Sequence, residues 1–378
     1  MAVSLREFGR GPDRGCRFGS RAASGVRYNR DVLSPSLLRL TESGLYCEAG
    51  DFYVDPWLPV DRAVITHAHA DHARPGNRHY LVAEPGLCVL RARLGSEVDV
   101  STVSYVERVT LGGVTVSLHP AGHILGSAQV RIELNGAICV VSGDYKITPD
   151  TTCASFEPVR CHRFVTESTF GLPIYRWPPP AEVIADIHTW WQGNQQAGKA
   201  SLLFGYALGK AQRLLAALDP ASGPIYTHGA VEKMNRAYRD CGIPLPPTTY
   251  VSSAPAGTDW SRGLILAPPS AHGGPWERRF GPLSTAFVSG WMRIRGARRR
   301  RTVDRGFVLS DHADWPGLLE AIKQTGAEEV WVTHGYTADL VRWLSEQRLQ
   351  AQPVATRFEG EQDVTGEEFA AEAMASEA

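Results

Sequence analysis

Within six residues, His67, His69, Asp71 and His72 gather three imidazoles and a carboxylate directly after the short apolar run Ala63–Ile65. Such groups are costly to bury without partners and serve no packing purpose when exposed together. The pattern His-x-His-x-Asp-His therefore constrains this chain more than any other feature. On a turn leaving a strand, His67 and His69 point one way, while Asp71 and His72, on a first helical turn, point to a second site. Imidazole nitrogen with carboxylate oxygen suits Zn²⁺, and also Mn²⁺ or Fe²⁺. A surface histidine patch is the plain alternative, and the apolar strand in front of the cluster argues against it.

One segment cannot fill two coordination spheres, so further ligands are expected at other strand ends. His123 lies in the glycine-flanked loop Pro120-Ala121-Gly122-His123-Ile124-Leu125-Gly126-Ser127, and Asp144 follows the strand candidate Ile138–Val141 in Ser142-Gly143-Asp144-Tyr145. A lone His or Asp in a loop is ordinarily a turn residue or a helix cap. Their place downstream of the cluster, one strand apart, makes them ligand candidates.

Residues 36–172 read as short strands punctuated by Gly, Pro and Asp, among them Leu45–Cys47, Phe52–Val54, Val114–Leu118 and Gln129–Leu134. The pattern changes near Pro173. Helical spacing over 181–192 and 209–218 alternates with the strand candidates Ala200–Phe204 and Pro224–Tyr226, which is an α/β pattern with a parallel sheet. After Gly306 the chain returns to strand (Phe307–Leu309), helix (Pro316–Thr325) and strand (Val330–Val332). The expected organisation is a first part of one α/β domain at 36–172, an inserted α/β unit at 173–305 and a return at 306–358. Residues 1–35, rich in Gly, Arg and Ser, read as a disordered extension, and 359–378 as an acidic tail.

Charge narrows the class of partner. The net charge of −1 hides seven arginines in residues 1–30 and seven acids in 359–378, which leave the body nearly neutral. Any nucleic-acid surface must therefore be local. The strongest local field is the stretch 291–305, with Arg293, Arg295, Arg298, Arg299, Arg300, Arg301 and Arg305 against Asp304. It is either a solvated face or a phosphate-backbone contact, and its nearness to His312 favours the second. Gly205-Tyr206-Ala207-Leu208-Gly209-Lys210 is a glycine loop entering a helix, suited to anions, with Lys210 as a further phosphate contact. The seven cysteines are scattered without a CxxC pair, so buried or free thiols in a reducing cytoplasm are expected rather than a disulfide framework. No apolar run approaches the about 20 residues that span a bilayer, and the expectation is a cytoplasmic protein without a membrane partner.

The cluster, His123 and Asp144 together resemble the metallo-β-lactamase superfamily over roughly 36–358. That resemblance implies an αββα sandwich and two divalent ions, Zn or possibly Mn. His67, His69, His123 and Asp144 would hold one, and Asp71, His72, His334 and a shared Asp144 the other. Glu167 in Thr166-Glu167-Ser168, His312 in Ser310-Asp311-His312-Ala313-Asp314 and His334 in Thr333-His334-Gly335 resemble the three further motifs of the β-CASP nucleases, whose inserted domain closes over the metal site. By the same likeness His312 is a candidate acid or phosphate donor, oriented by Glu167. Asp71 joins them among the catalytic groups, and Asp55 orients a ligand histidine. His228, inside the insert, reads as structural or substrate-side. Asp311 and Asp314 read as caps or outer groups, and His79, His119, His162, His188 and His272 as structural. The phrases Tyr46–Trp57, Ser289-Gly290-Trp291-Met292 and Ser310–Trp315 are similar to bacterial ligase-associated DNA exonucleases, which implies DNA-end processing beside an ATP-dependent DNA ligase and a helicase. His334 belongs to the pattern of the RNA-processing branch, so RNA stays open as substrate. Thioester hydrolysis and a non-catalytic nucleic-acid-binding subunit are the remaining alternatives.

Overall fold

Runs of β-branched and apolar residues, broken by Gly, Asn and Asp turns, pair into three sheets. The structure, a computed structural model, describes residues 37–294, 296 and 302–357. The first sheet is ordered as the chain runs: β1 (Arg39–Thr41), β2 (Gly44–Cys47), β3 (Phe52–Val54), β4 (Arg62–Val64), β5 (His79–Ala83) and β6 (Val100–Val103). β1 to β3 pair antiparallel and β3 to β6 parallel, with α1 (Leu87–Leu94) between β5 and β6. A second sheet begins with β7 (Arg108–Leu111), β8 (Val114–Pro120), β9 (Ala128–Leu134) and β10 (Ala137–Val141), all antiparallel, and then the parallel β11 (Arg163–Ser168).

From there the chain builds a third, wholly parallel sheet. Its strands are β12 (Ala200–Phe204), β13 (Ile225–Thr227), β14 (Thr249–Tyr250), β15 (Leu264–Ala267), β16 (Leu283–Val288) and β17 (Arg305–Phe307), interleaved with α2 (Pro180–Gln196), α3 (Lys210–Ala217) and α4 (Gly229–Asp240). The return passes through α5 (Trp315–Thr325), β18 (Glu329–Gly335), α6 (Thr337–Glu346) and β19 (Gln350–Pro353). β18 pairs with β11 and β19 with β18, so the last strands complete the second sheet. Asp314 caps α5 by accepting from Gly317 N–H at 3.0 Å, and Gly326 ends it in the left-handed region.

Strand periodicity explains the layers. On β10, Cys139 and Val141 join Leu45, Phe52, Val64 and Leu81 of the first sheet in one core. Val140 points to the opposite face and packs with Leu318, Ile322, Leu340 and Leu344 of α5 and α6. The outer face of the first sheet, through Ile65, Tyr80 and Val82, packs on α1 and on Met234, Ala237 and Tyr238 of α4. The result is an α/β fold of the metallo-β-lactamase αββα type, with the third sheet and its helices added to it. Among the described residues no helix is long and apolar enough to cross a membrane.

One expectation is overturned at the seam between these parts. Cys88 of α1 and Cys241, the residue after α4, form a disulfide with their Cα atoms 6.1 Å apart. Packing of α1 on α4 brings together two cysteines 153 positions apart, a pairing that no local spacing announces. Cys47, Cys139, Cys153 and Cys161 remain thiols, and burial pushes Cys47 up to about 11.

Candidate metal centre

Loops at one end of the two sandwich sheets carry the site. The segment after β4 makes the single helical turn expected, in which Ala73 N–H donates to His69 C=O, four residues back, at 2.8 Å, and no longer helix follows it. The turn puts His67 and His72 inward, buried, and leaves His69 and Asp71 half-buried at the mouth. Asp144 reaches the same point from the loop after β10. Gly143 allows this, because its φ of +57° suits glycine and a Cβ there would lie 2.6 Å from the Thr66 side chain. Glu167 and His334 lie within β11 and β18, near their C-terminal ends, rather than in loops after them.

Asp144 is the centre of the arrangement. Its Oδ2 lies 3.5 Å from His67 Nε2, 3.6 Å from His72 Nε2 and 3.8 Å from His123 Nε2, and its Oδ1 lies 3.1 Å from His334 Nε2. Asp71 Oδ2 stands 3.5 Å from His72 Nε2. Potential ligand atoms of His67, His69, His123 and Asp144 all fall within 4.8 Å of one another, and so do those of Asp144, Glu167 and His312. The seven ligand candidates from the sequence are thus brought together around one carboxylate, with Glu167 and His312 against it.

The donor set fits divalent cations on two structural grounds. His67 Nε2 is buried and makes no hydrogen bond among the described residues. His69 Nε2–H donates to Leu208 C=O at 3.2 Å and His123 Nδ1–H donates to Asp311 C=O at 2.8 Å. A carbonyl only accepts, so the remaining nitrogens, His69 Nδ1 and His123 Nε2, face each other 3.0 Å apart as lone pairs. Two lone pairs at that distance repel unless a cation lies between them.

The electrostatics agree. Burial holds His67 and His123 well below the usual imidazole range, and neighbouring imidazoles push the same way. Burial opposes a charge on His72, yet Asp71, Asp144 and Asp55 outweigh it and push that imidazole up to about 10. Burial also opposes ionisation of Asp144, but His72, His312 and His334 hold its carboxyl well below the carboxylate range. Metal binding at such a centre must release protons.

Supporting residues surround the cluster. Asp55, at φ 45°, accepts from Thr66 N–H at 2.7 Å and from His72 Nδ1–H at 2.7 Å, and it fixes that ring with Nε2 facing inward. His312 Nδ1–H donates to Glu167 at 2.9 Å, and its ring lies 4.6 Å from that of His123. Glu167 also accepts from Tyr145 N–H at 2.8 Å. Phe170 packs beside His312 and carries Trp177 and Trp291 on its own ring, and Trp177 Nε1–H donates to the His312 C=O at 3.0 Å.

The expected phosphate contacts divide. Arg293 is exposed at the end of the short turn Gly290–Arg293, whose Trp291 packs on Phe170. Arg295, Arg298, Arg299, Arg300 and Arg301 lie outside the described residues. Lys210 must be corrected: it is 0% exposed, with Nζ 3.3 Å from Asp311 Oδ2, so it meets a buried carboxylate rather than a phosphate. His228 is the cap of α4, its Nδ1 accepting from Ala230 N–H at 3.1 Å. Sequence reasoning did not find Thr66, Arg213, Asp150 or the carbonyls of Leu208 and Asp311. The only signal was Arg213, one helical turn after Lys210 on the same face of α3.

No family model matches the chain. A protein of Opitutus terrae named probable DNA ligase is 32% identical over 313 residues, which are 82% of this chain and 30% of that protein. Endoribonuclease YSH1 of Saccharomyces cerevisiae is 32% identical over 167 residues, 43% of this chain and 20% of the relative. Subunit 3 of the cleavage and polyadenylation specificity factor of Dictyostelium discoideum is 32% identical over 124 residues, 32% of this chain and 16% of the relative. The chain thus spans less than a third of each of these curated relatives. Among solved structures, a protein of unknown function from Enterococcus faecalis superposes with a TM-score of 0.52 at 12% identity, covering 79% of this chain and 80% of that one, a likeness of fold.

Proposed function

Because the chain belongs to the β-CASP nucleases of the metallo-β-lactamase fold, we propose that it is a metal-dependent DNA exonuclease that trims DNA ends during repair. The observation that carries the hydrolase reading is the His312–Glu167 pair set directly against the Asp144-centred ligand cluster. In this reading His67, His69, His123 and Asp144 hold one divalent ion, and Asp71, His72, His334 and the shared Asp144 the other, Zn²⁺ or Mn²⁺. When bound, such ions supply Lewis-acid stabilisation of charge developing on phosphoryl oxygens and acidify water.

The remaining work falls to side chains. Glu167 accepts from His312 Nδ1–H and so keeps the Nε2 atom for substrate. Protonated there, His312 donates to the leaving oxygen. Half-buried His69, Asp71 and His334 mark the side from which a strand end enters, and Arg293 with the flanking aromatic residues lines the approach.

DNA is favoured over RNA by the extent of likeness, since the match to the probable DNA ligase runs over 313 residues and those to the two RNA-processing proteins over 167 and 124. The name of that relative supports work beside a DNA ligase, and the proposal extends it to an ATP-dependent ligase and a helicase in the cytoplasm. The test is incubation of purified protein with end-labelled single- and double-stranded DNA, and with matched RNA, in Mn²⁺ or Zn²⁺. Shortening of DNA that a chelator abolishes is expected. Shortening of RNA alone would establish the RNA-processing reading, and binding without cleavage of either would establish a non-catalytic subunit.

A further inference from the structure

Two ligand histidines owe their orientation to backbone atoms outside the sandwich strands. Leu208, whose C=O accepts from His69 Nε2–H, lies in the junction between β12 and α3 of the third sheet. Asp311, whose C=O accepts from His123 Nδ1–H, lies just after β17, the last strand of that sheet. Each acceptor decides which ring nitrogen keeps its proton, and therefore which one offers a lone pair to the centre. If either carbonyl moved, its imidazole could take the other tautomer and turn a proton toward the ion.

The same corner is fixed by buried charges. Lys210 Nζ lies 3.3 Å from Asp311 Oδ2, and Arg213 Nη1 lies 3.2 Å from Asp311 Oδ1 while also donating to Ser310 C=O. Arg213 Nε reaches Asp150 Oδ2 at 3.8 Å, and Asp150 in turn pairs with Lys146, two residues after Asp144. Lys146, Lys210, Arg213 and Asp311 are all buried. The contact is close as well as charged: a Cβ on Gly209 would lie 2.3 Å from Ile124 Cγ2, beside His123. Isolated buried ion pairs seldom add stability on their own account, but they impose register. Here the register imposed is that of Leu208 and Asp311 against His69 and His123.

We propose that Lys210 and Arg213 are positioning residues of the metal centre, which lock the Leu208 and Asp311 carbonyls onto His69 and His123 and so make loading of that ion depend on docking of the inserted sheet. The inference rests on the metal reading above and adds to it a selective coupling. His69 and His123 of that half depend on the insert, whereas His67 and His72 are held by Thr66 and Asp55 and His334 lies on β18.

The test is metal uptake by the whole chain, read without substrate. Metal-free wild type, Arg213→Met and Arg213→Lys are titrated with Zn²⁺ against a chelating indicator. Bound metal is counted by elemental analysis, and Co²⁺ spectra report the ligand geometry. Arg213→Met is expected to lose about 10–100-fold in affinity for one ion while keeping the other, the size usual for removal of an outer partner of a metal ligand. Arg213→Lys keeps the charge and should recover part of that loss; it also serves as the reporter if circular dichroism shows Arg213→Met unfolded. Wild-type stoichiometry and affinity in the folded variants would overturn the coupling, as would equal loss of both ions. Absence of uptake by wild type would instead overturn the metal reading itself, so the two failures are distinguishable.

Discussion

Replacing Asp55 by Asn isolates the contribution of one hydrogen bond to the centre. The two side chains have the same shape, so the core around position 55 should survive. The demands on the group differ. Asp55 Oδ1 accepts from Thr66 N–H at 2.7 Å, while Oδ2 accepts from Thr66 Oγ1–H at 2.5 Å and from His72 Nδ1–H at 2.7 Å. An amide has one oxygen, and the backbone N–H, which can only donate, claims it. The NH₂ then faces His72 Nδ1, which must give up its proton to accept, so the proton the neutral ring keeps is on Nε2. That nitrogen lies 3.5 Å from Asp71 and 3.6 Å from Asp144 and could no longer serve as a ligand. Loss of an outer-shell partner costs about 10–100-fold in metal affinity. At about 1.4 kcal/mol per factor of ten this is about 1.4–2.7 kcal/mol, and the forced tautomer puts Asp55→Asn at the upper end. Calorimetric titration of metal-free protein with Zn²⁺ in a competing chelator measures it. Thermal unfolding with and without metal gives a second reading, because ligand-linked stabilisation shrinks by the same free energy. A variant that melts like wild type when metal-free and binds both ions with wild-type affinity would refute the tautomer argument.

Three further outcomes are expected. His312→Gln should lower cleavage about 10²–10⁴-fold at unchanged metal content, and loss of bound metal in this variant would make His312 a ligand instead. Reduction of Cys88–Cys241, or Cys88→Ser, should lower stability by about 2–5 kcal/mol through the 153-residue separation it closes, seen as a lower urea midpoint; an unmoved midpoint would show that the α1–α4 packing suffices alone. Burial opposes ionisation of Asp150, but Lys146, Thr152 and Arg213 hold its carboxyl below the usual range. A depressed folded value means stability fully present above the unfolded value of about 4 and lost as pH falls through the folded one. Asp150→Asn should therefore be less stable near neutrality and lose less on acidification, and a wild-type acid slope in urea midpoints would contradict it.

The legible parts of this site were those written in side-chain identity. His67, His69, Asp71 and His72 announce themselves because nothing but coordination makes that spacing economical. Glu167, His312 and His334 were legible only through their resemblance to the β-CASP motifs, whereas His123 and Asp144 follow because each is a polar group in a loop where an apolar strand ends. Strand positions such as Phe52–Val54 and Ala200–Phe204 were readable for the same reason, through runs of apolar and β-branched residues. What stayed hidden was pairing at long range. Lys210 after a glycine loop looks like a phosphate contact until its partner Asp311 is placed beside it, and no spacing rule links positions that far apart. Cys88 and Cys241 fail in the same way. Carbonyl groups are harder still, because Leu208 acts through an atom that every residue possesses.

The order of the ligands along the chain has a consequence for the protein's own synthesis. His67 and His334, the first and last of the set, stand at opposite ends of the described sequence, with the whole third sheet between them. A growing polypeptide can fold the first sheet and most of the second, but it lacks the last imidazole until β18 has emerged. By then the parallel sheet that holds Leu208 in place is already made. A prematurely released fragment, or one clipped in the third sheet, would carry the histidine turn without the means to complete it. On the proposed nuclease reading, the centre would thus remain latent through translation, switched on by completion of the fold rather than by a separate activating factor.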